Sequence, residues 1–500
     1  MALDNLRAFL SALEGRGELV RVTHPVSVDK ELTEIADRCM KARGGGPALL
    51  FASLTRAARG PGPGAGGAAP SCPVAVNLFG SARRMALALG VDCLDEIGER
   101  IAALLNVKVP DTLLGKLAML PQLAEVAKYP PRSGGGRPPC QEVVLRDGEV
   151  DLGRFPIPVC WPEDGGPYIT LPGVITRDPV SGVRNVGMYR IQVVGPNELA
   201  MHWQRHKVGA AHWRAMAERG ETMPVAIALG GDPASIYAAS APLPPSIDEF
   251  LFAGFLRREP VRLAKAVTSD LDVPAEAEII LEGYIDPGEP LVLEGPFGDH
   301  TGFYSLADYY PKVHVTAVTM RAEPIWPHTI VGRPPMEDYW LGHATERIFL
   351  PLLKLTIPEI VDVHMPAAGI FHNLVFVSID KQYPGQAYKV MNGLWGQGLM
   401  ALAKVIVVFD RDVNVQDPQE AWWVALNHID PERDVRFTMG PIDVLDHSSR
   451  AFTFGSKMGI DATRKWKEEG FAREWPRRIV MDTDTRRRVD AMWKELGIAL

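Results

Sequence analysis

The chain has 500 residues, of which 46% are hydrophobic and 23% charged, and its formal net charge is -8. A chain of this length is usually too long to fold around a single hydrophobic core, so we predict two or three domains. The mild acidity excludes a global attraction to nucleic acid or anionic lipid, so an anionic ligand must bind in a local basic pocket.

The N-terminus is predicted to be an amphipathic helix rather than a targeting segment. Asp4 and Glu14 interrupt the apolar pattern of residues 1–19, whereas a signal peptide needs an unbroken apolar stretch. No stretch approaches the ~20 apolar residues that span a bilayer. The five cysteines are scattered and show no C-x-x-C spacing, which favours reduced, mostly buried thiols over a disulfide framework or a cysteine zinc site.

The first 110 residues or so are predicted to be mixed α/β. Helical patterns cover residues 30–39 and 94–105, and apolar strand patterns cover 48–51 and 74–76. Gly, Pro and Ala dominate residues 59–70, which predicts a surface loop. A second Gly- and Pro-rich stretch, at 129–139, is predicted to be a linker.

The later parts of the chain differ from each other in pattern. From about residue 141 to 320, short β-branched runs separated by turn residues predict a barrel-like or sandwich sheet with inserted helices. From about residue 335, helices at 339–353 and 386–403 alternate with apolar strands, as in a sheet covered by helices. The tail is predicted to close with a helix.

Arg190 and Lys207 stand out in the segment that begins at Asn185. Gly187 permits an irregular backbone beside them. An arginine fork can bind an anion in a bidentate manner, and a lysine adds a point charge, so the segment suits a phosphate and flavin cradle. The alternative is a strand followed by a solvated basic turn.

Glu294 and Asp299 flank a Gly-Pro-Phe-Gly sequence. Acids five residues apart do not share a face of a regular strand or helix, so only a loop could aim both at one point. With Arg190 they would form an acid–base–arginine set, in which one carboxylate is held ionised and the other is protonated often enough to deliver a proton. The alternative is a turn with exposed acids.

Several long motifs follow one another along most of the chain: DLGRFPIPVCWPEDGGPYIT, NVGMYRIQ, EIILEGYIDPGE, EGPFGDHTGFY, VGRPPMED, KQYPGQAYKVM and GSKMGIDATRKW. In this order they resemble the UbiD family of decarboxylases, and most of all its bacterial 3-polyprenyl-4-hydroxybenzoate decarboxylase branch. The resemblance implies a multidomain α+β and α/β fold. Its parts are an N-terminal α/β domain at 1–115, a central split β-barrel flavin-binding domain at 116–332, and a C-terminal α/β oligomerisation domain with a helical tail at 333–500.

The resemblance also implies a prenylated FMN cofactor whose phosphate binds a divalent metal such as Mn²⁺, with K⁺ as a further cation. The implied metal ligands are Asn185, His206 and Glu249, although their spacing alone does not indicate a metal. The implied cofactor contacts are Met188, Tyr189, Arg190, His202, Trp203, Gln204, Lys207, Val208 and Lys457. The implied catalytic residues are Arg190, which orients the carboxylate, Asp299, which donates the proton, and Glu294, which shares that duty.

The implied reaction is the non-oxidative decarboxylation of 3-polyprenyl-4-hydroxybenzoate to 2-polyprenylphenol in ubiquinone biosynthesis. Two alternatives stay open: a decarboxylase of a small phenolic acid such as 4-hydroxybenzoate or vanillate, and a flavin-binding protein without decarboxylase activity. A flavin prenyltransferase would supply the cofactor. The chain is expected to form a dimer or hexamer, to bind no nucleic acid, and to be cytoplasmic with peripheral contact to the inner face of the cell membrane, where an isoprenoid substrate partitions.

Overall fold

The computed structural model describes residues 2–56, 72–105, 128–204, 207–244 and 246–498. In these ranges three mixed α/β units follow one another, each built around its own sheet. The predicted loop at 59–70 lies outside the described residues. Within the described ranges, every helix is too short or too polar to span a bilayer. No disulfide joins any of the five cysteines, and Cys72, Cys140 and Cys160 are buried, as predicted.

The N-terminal unit packs helices on a four-stranded sheet. Its strand order is Leu19–Val22, Ala48–Phe51, Val74–Val76 and Trp326–Pro327. A separate pair joins Val26–Ser27 to Leu54–Thr55. The helices are Leu6–Gly15, Glu31–Met40, Ala82–Ala88 and Asp95–Leu105.

The first helix shows why these segments fold as they do. Asn5 caps it, because its side chain accepts a hydrogen bond from the backbone N–H of Ala8 at 3.0 Å. Apolar side chains recur at helical spacing and are all buried: Leu6, Phe9, Leu10 and Leu13. The amphipathic pattern of the sequence therefore places one face of the helix in the core.

A nine-stranded sheet forms the central unit. The order of its main path is Arg184–Gly187, Pro172–Arg177, Met223–Leu229, Ile279–Ile285, Lys312–Met320, Glu198–Met201, Ile191–Val193 and Tyr168–Ile169, and Val143–Arg146 also pairs with Lys312–Met320. The register shifts between Glu282 and Gly283, and such a bulge bends and twists a sheet. The sheet curls into a half-barrel, and among the described residues its two end strands are not paired with each other.

Smaller elements surround the half-barrel. Helices here are Val208–Arg219, Pro233–Ala238 and Glu249–Arg257. Two hairpin-like pairs join Val292–Glu294 to Asp308–Tyr310 and Phe297–Gly298 to Tyr304–Ser305. A three-stranded sheet contains Arg132–Ser133, Arg262–Lys265 and Asp272–Pro274. Because Arg132–Ser133 is a strand, the prediction of a plain linker at 129–139 is wrong in part.

The C-terminal unit is a five-stranded mixed sheet covered by helices. Its strand order is Ile360–His364, Leu374–Ile379, Val405–Asp410, Phe454–Asp461 and Val435–Pro441. Its helices are Glu337–Thr356, Gln386–Trp395, Pro418–His428, Pro431–Asp434 and Thr483–Met492. Val377 and Phe376 enter different hydrophobic clusters, because successive strand residues point to opposite faces of the sheet. The predicted helix at 386–403 ends earlier, at Trp395, where two glycines follow within three residues.

Short 3₁₀ helices complete the structure. They are Arg43–Gly45, Pro139–Gln141, Asp147–Glu149, Leu152–Arg154, Ala367–Gly369, Gly398–Leu402 and Lys467–Glu469.

Candidate active site

The candidate site lies where a strand of the half-barrel meets the two hairpin-like pairs. Arg190 precedes strand Ile191–Val193, Glu294 ends strand Val292–Glu294, and Asp299 follows strand Phe297–Gly298. The turn between the two acids needs glycine. Gly295 has a φ of +99°, where side chains are rarely tolerated, and a Cβ on Gly298 would lie 2.2 Å from Cδ1 of Trp161.

Arg190 joins the two acids directly. Its Nε and Nη2 donate to the two carboxylate oxygens of Glu294 at 2.9 and 3.0 Å, and its Nη1 donates to Oδ2 of Asp299. Nη2 also donates to the Ser305 hydroxyl at 2.9 Å, and the ring of Phe297 lies 4.8 Å from the guanidinium carbon. The structure thus brings together the three side chains predicted to be catalytic.

Both acids are ionised in this arrangement. Burial raises the pKa of Glu294, but the hydrogen bond from His202 and the charge and hydrogen bonds of Arg190 outweigh burial and lower that pKa to about 2. Burial also opposes ionisation of Asp299, yet the hydrogen bond from His300 and the charge of Arg190 hold its pKa well below the usual range. The expectation that one acid is often protonated is therefore wrong for this arrangement, since Asp299 must first lose a partner before it gains a proton.

His202 fixes the second side of Glu294. Its Nδ1 lies 3.0 Å from Oε2 of Glu294, and it must carry the hydrogen because an ionised carboxylate only accepts. Burial and the charge of Arg190 lower the pKa of His202, so the imidazole is neutral. Its Nε2 is buried and has no hydrogen-bond partner among the described residues, which leaves a polar atom available to a ligand.

His300 is a site residue that the sequence analysis missed. Its Nδ1 lies 2.8 Å from Oδ1 of Asp299. Burial lowers its pKa, but the hydrogen bond with Asp299 and the charges of Asp299, Asp338 and Asp443 raise it to about 9. The only signal was its position directly after Asp299, and that position becomes meaningful only when the loop turns both side chains toward each other.

The C-terminal unit covers this loop. The ring of His300 lies 5.4 Å from the ring of Phe371 and 6.4 Å from that of His372. Further along the loop, the ring of Phe303 lies 4.5 Å from that of His447. Burial raises the pKa of Asp338 in the same region to about 6, although the charge of His300 opposes this. The site is therefore enclosed by residues from two units of the chain.

Two of the three predicted metal ligands lie close together. Asn185 is in strand Arg184–Gly187, and Oε2 of Glu249 accepts a hydrogen bond from the next backbone N–H, that of Val186, at 2.9 Å. Burial raises the pKa of Glu249 to about 7, and Nδ2 of Asn185 is buried without a hydrogen-bond partner in the described chain. A divalent cation bound to this carboxylate would favour its ionised form. His206 lies outside the described residues.

Most of the predicted cofactor contacts lie along two adjoining stretches. Ile191 pairs with Met201 across the sheet, so the residues just before and after these strands are neighbours, and the His202 N–H donates to the Arg190 carbonyl at 3.3 Å. The rings of Tyr189 and Trp203 meet edge to face at 6.1 Å. The contacts on these two stretches are Met188, Tyr189, Arg190, His202, Trp203 and Gln204.

Two of the three remaining predicted contacts lie at the start of the next helix, and the third lies in the C-terminal unit. Val208 is the first residue of helix Val208–Arg219, and Lys207 precedes it; burial lowers the pKa of the Lys207 ammonium. Lys457 lies elsewhere, in strand Phe454–Asp461 of the C-terminal sheet. Its ammonium donates to the carbonyls of Ala401 and, at 3.2 Å, Ala403. No described hydrogen bond joins Lys457 to the other predicted contacts, because it lies in the C-terminal sheet.

Comparison with known proteins identifies three successive domains of one family. The models for the 3-octaprenyl-4-hydroxybenzoate carboxy-lyase (UbiD) N-terminal, Rift-related and C-terminal domains match residues 10–101, 132–334 and 339–462. An uncharacterized protein of Aquifex aeolicus is 51% identical over 494 residues, which is 99% of each chain.

Solved structures of the same class superpose over almost the whole chain. The UbiD-class enzyme HmfF from Pelotomaculum thermopropionicum, in complex with FMN, has a TM-score of 0.79 and 30% identity and covers 97% of this chain and 99% of its own. An evolved dimeric form of HmfF in complex with prFMN has a TM-score of 0.75 and 30% identity, with coverage of 95% and 97%. Vanillic acid decarboxylase from Sedimentibacter hydroxybenzoicus, in its closed form, has a TM-score of 0.82 and 27% identity and covers 100% of both chains.

Proposed function

Because this chain belongs to the UbiD family of carboxy-lyases, we propose that it removes the carboxyl group of a phenolic acid with prenylated FMN as its cofactor. One observation carries the proposal: Arg190 bridges Glu294 and Asp299 in a buried site. A guanidinium shared by two acids can accept a substrate carboxylate in place of one of them. Such a set has no evident use in a protein that merely stores a flavin.

The described residues fit the cofactor. Nε2 of His202, Nε1 of Trp203 and Nδ2 of Asn185 are buried polar atoms without hydrogen-bond partners in the described ranges. Asn185 and Glu249, completed by His206, would hold a Mn²⁺-like cation that carries the phosphate, and Lys207 would add a positive charge. The complexes of HmfF with FMN and prFMN support this assignment. When bound, prenylated FMN supplies an electrophilic carbon that accepts electron density from the ring before CO₂ leaves.

The chain's own residues would control orientation and the proton. Arg190 binds the substrate carboxylate, which displaces Asp299 from the guanidinium. This removes one of the two groups that lower the Asp299 pKa, and His300 is the other. Asp299, still buried, then takes up a proton and delivers it to the ring carbon that loses CO₂. Glu294 keeps its bonds to Arg190 and His202, so it holds the guanidinium in place and stays ionised.

A small phenolic acid is the better supported substrate. The vanillic acid decarboxylase superposes on the entire chain, and the para hydroxyl of such an acid would donate density to the ring. The polyprenylated 4-hydroxybenzoate is the second candidate, which the descriptions of the matching domains favour. In either case a flavin prenyltransferase supplies the cofactor. The evolved dimeric form of HmfF supports a homo-oligomer. We also propose that the protein is cytoplasmic.

One experiment tests both parts of the proposal. The full chain is coexpressed with a flavin prenyltransferase, and the extracted ligand is identified by mass and visible spectrum. The holoprotein is then assayed with vanillate, 4-hydroxybenzoate and a prenylated 4-hydroxybenzoate. We expect prenylated FMN and CO₂ release from at least one unprenylated acid. Turnover of the prenylated acid alone would establish the second candidate, and a bound flavin with no CO₂ release from any acid would overturn the proposal.

A further inference from the structure

A second cluster of ligand-type side chains lies in the C-terminal unit, apart from the candidate active site. His343 and Glu346 are in helix Glu337–Thr356, and His364 ends strand Ile360–His364. One ligand atom of each residue lies within 4.8 Å of the ligand atoms of the other two. Nδ1 of His343 is 2.7 Å and Nδ1 of His364 is 3.1 Å from the same oxygen, Oε1 of Glu346.

The backbone places these three side chains on rigid elements. Residues three apart lie on one face of a helix, so His343 and Glu346 point in the same direction. The second oxygen of Glu346 accepts a hydrogen bond from the backbone N–H of Met365 at 2.7 Å, which fixes the carboxylate and directs Oε1 toward the two imidazoles. The cluster therefore has little freedom to rearrange.

The cluster is largely closed to solvent. The side chains of Glu346 and His364 are 0% and 3% exposed, whereas that of His343 is 19% exposed and gives access from solvent. The rings of Tyr339 and Trp340 lie 6.2 and 6.1 Å from the His343 ring.

Glu346 forms only a long ion pair with its arginine neighbour. Arg347 follows it, but the closest contact of that guanidinium with Glu346 is 3.7 Å, and Arg347 instead donates to Asp362 and to the Val363 carbonyl. Among the described hydrogen bonds, the partners of Oε1 are the two imidazole nitrogens. A cation bound to both nitrogens and to Oε1 would take the place of these hydrogen bonds and add a positive charge beside the buried carboxylate.

We propose that His343, Glu346 and His364 bind a zinc-class divalent cation. Two imidazole nitrogens and one carboxylate oxygen are a common ligand set for zinc, with a water as the fourth ligand. Zinc bonds of about 2.0–2.2 Å at tetrahedral angles separate ligand atoms by about 3.3 Å. The two nitrogen–oxygen distances here are only slightly shorter, so a small ring rotation suffices. The cation would join the long helix to the first strand of the C-terminal sheet.

The test uses the full chain without flavin, so its outcome does not depend on the proposed function. A Glu249→Gln background disables the predicted phosphate-linked metal site. The protein is stripped with a chelator and dialysed against zinc chloride, and bound zinc is measured by elemental analysis. Co²⁺ is added in a parallel sample, because tetrahedral cobalt absorbs visible light far more strongly than octahedral cobalt. Thermal melts with and without zinc complete the set.

We expect about one zinc per chain, an intense cobalt spectrum and a Tm that rises with zinc. His343→Asn, at the partly exposed position, and Glu346→Gln should each bind zinc at least about tenfold more weakly. His314→Asn is the matched control, since this imidazole pairs with a carboxylate, Glu289, in the central unit and should leave zinc binding unchanged. A background protein that binds no zinc, a weak octahedral cobalt spectrum, or equal zinc binding in Glu346→Gln would overturn the proposal.

Discussion

At the scale of single residues, Arg190 is the cation that the two acids share, and each acid has a histidine as a further partner. It makes two hydrogen bonds to Glu294 and one to Asp299, while His202 also serves Glu294 and His300 also serves Asp299. Glu294 therefore keeps two partners if a substrate takes one arm of the guanidinium, whereas Asp299 keeps only His300. This asymmetry is the physical reason for assigning the mobile proton to Asp299.

Asp299→Asn is expected to fold and to retain flavin but to lose activity. Removing a general acid typically lowers the rate by about 10²–10⁴-fold, and an amide cannot deliver the proton. Single-turnover decarboxylation measured by CO₂ release gives the size of the loss. Asp308→Asn is the control, because this exposed acid lies opposite Glu294 in the strand pair but has no contact with Arg190 among the described hydrogen bonds. Near-full turnover of Asp299→Asn would contradict the assignment.

His300 should give the Tm a characteristic pH dependence. Its folded-state pKa is raised to about 9, so its ion pair with Asp299 stabilises the fold fully below the ordinary histidine pKa of about 6.5 and loses this effect as the pH rises through about 9. Asp299 stays ionised throughout, since its pKa lies well below this window. The Tm difference between wild type and His300→Asn should therefore be largest near pH 6.5 and shrink toward pH 9.5.

The control for this experiment is the same substitution made in an Asp299→Asn background. There the partner is already absent, so His300→Asn should change the Tm by much less and with a weaker pH dependence. A wild-type difference that stays constant across the whole range would show that the pair is not ionic.

At the scale of elements, the turn between strands Val292–Glu294 and Phe297–Gly298 positions the chemistry. Acids five residues apart face one guanidinium only because the chain reverses at Gly295 and then passes close to Trp161 at Gly298. The sequence indicated a loop here through its glycines and proline. The direction in which the loop aims its acids depends on contacts with Trp161 and Arg190, which are distant in sequence.

Gly298→Ala should disturb this turn. The new Cβ would lie 2.2 Å from Cδ1 of Trp161, so either the indole or the backbone beside Asp299 must move. Overpacking of this kind costs about 1–3 kcal/mol, and the shift should lower activity as well. Chemical denaturation and the CO₂ assay measure the two effects. Gly135→Ala is the control, because no atom lies within 4 Å of its added Cβ. Equal stability of the two variants would contradict the close contact.

At the scale of the whole molecule, the chain returns from the central unit to complete the N-terminal sheet. Strand Trp326–Pro327 pairs in parallel with Val74 and Ala75, immediately before the chain enters the C-terminal unit. Trp326 is 0% exposed and its ring lies 5.7 Å from that of Phe155. Trp326 and its strand are thus one of several connections between the N-terminal sheet and the central unit, beside contacts such as the Arg7–Glu278 ion pair.

Trp326→Ala should destabilise both units together. Truncating a fully buried large aromatic side chain costs about 3–5 kcal/mol, because packing is lost and a cavity remains. The shift of the urea unfolding midpoint measures the loss. Trp423→Ala is the control, because Trp423 is 55% exposed; it should change stability by no more than about 0.5 kcal/mol. A small effect at Trp326 would mean that the N-terminal sheet does not depend on its fourth strand.

The sequence by itself determined the local elements and the residue types of the site. Helices such as Leu6–Gly15 and strands such as Leu374–Ile379 follow from apolar periodicity, which depends only on neighbours along the chain. The motifs also identified Arg190, Glu294 and Asp299. Predictions failed where an element depends on a partner that is distant in sequence. Arg132–Ser133 is such a case, because it becomes a strand by pairing with Arg262–Lys265.

Only the tertiary structure decided how distant residues act on one another. In the folded chain His300 is a second partner of Asp299, and both acids near Arg190 are ionised. Phe371 and His372 pack against His300 at the site. His343, Glu346 and His364 lie close together in the C-terminal unit. Charge interactions and burial depend on distance in space, and in this fold those distances are set by sheet pairings that join residues far apart in sequence.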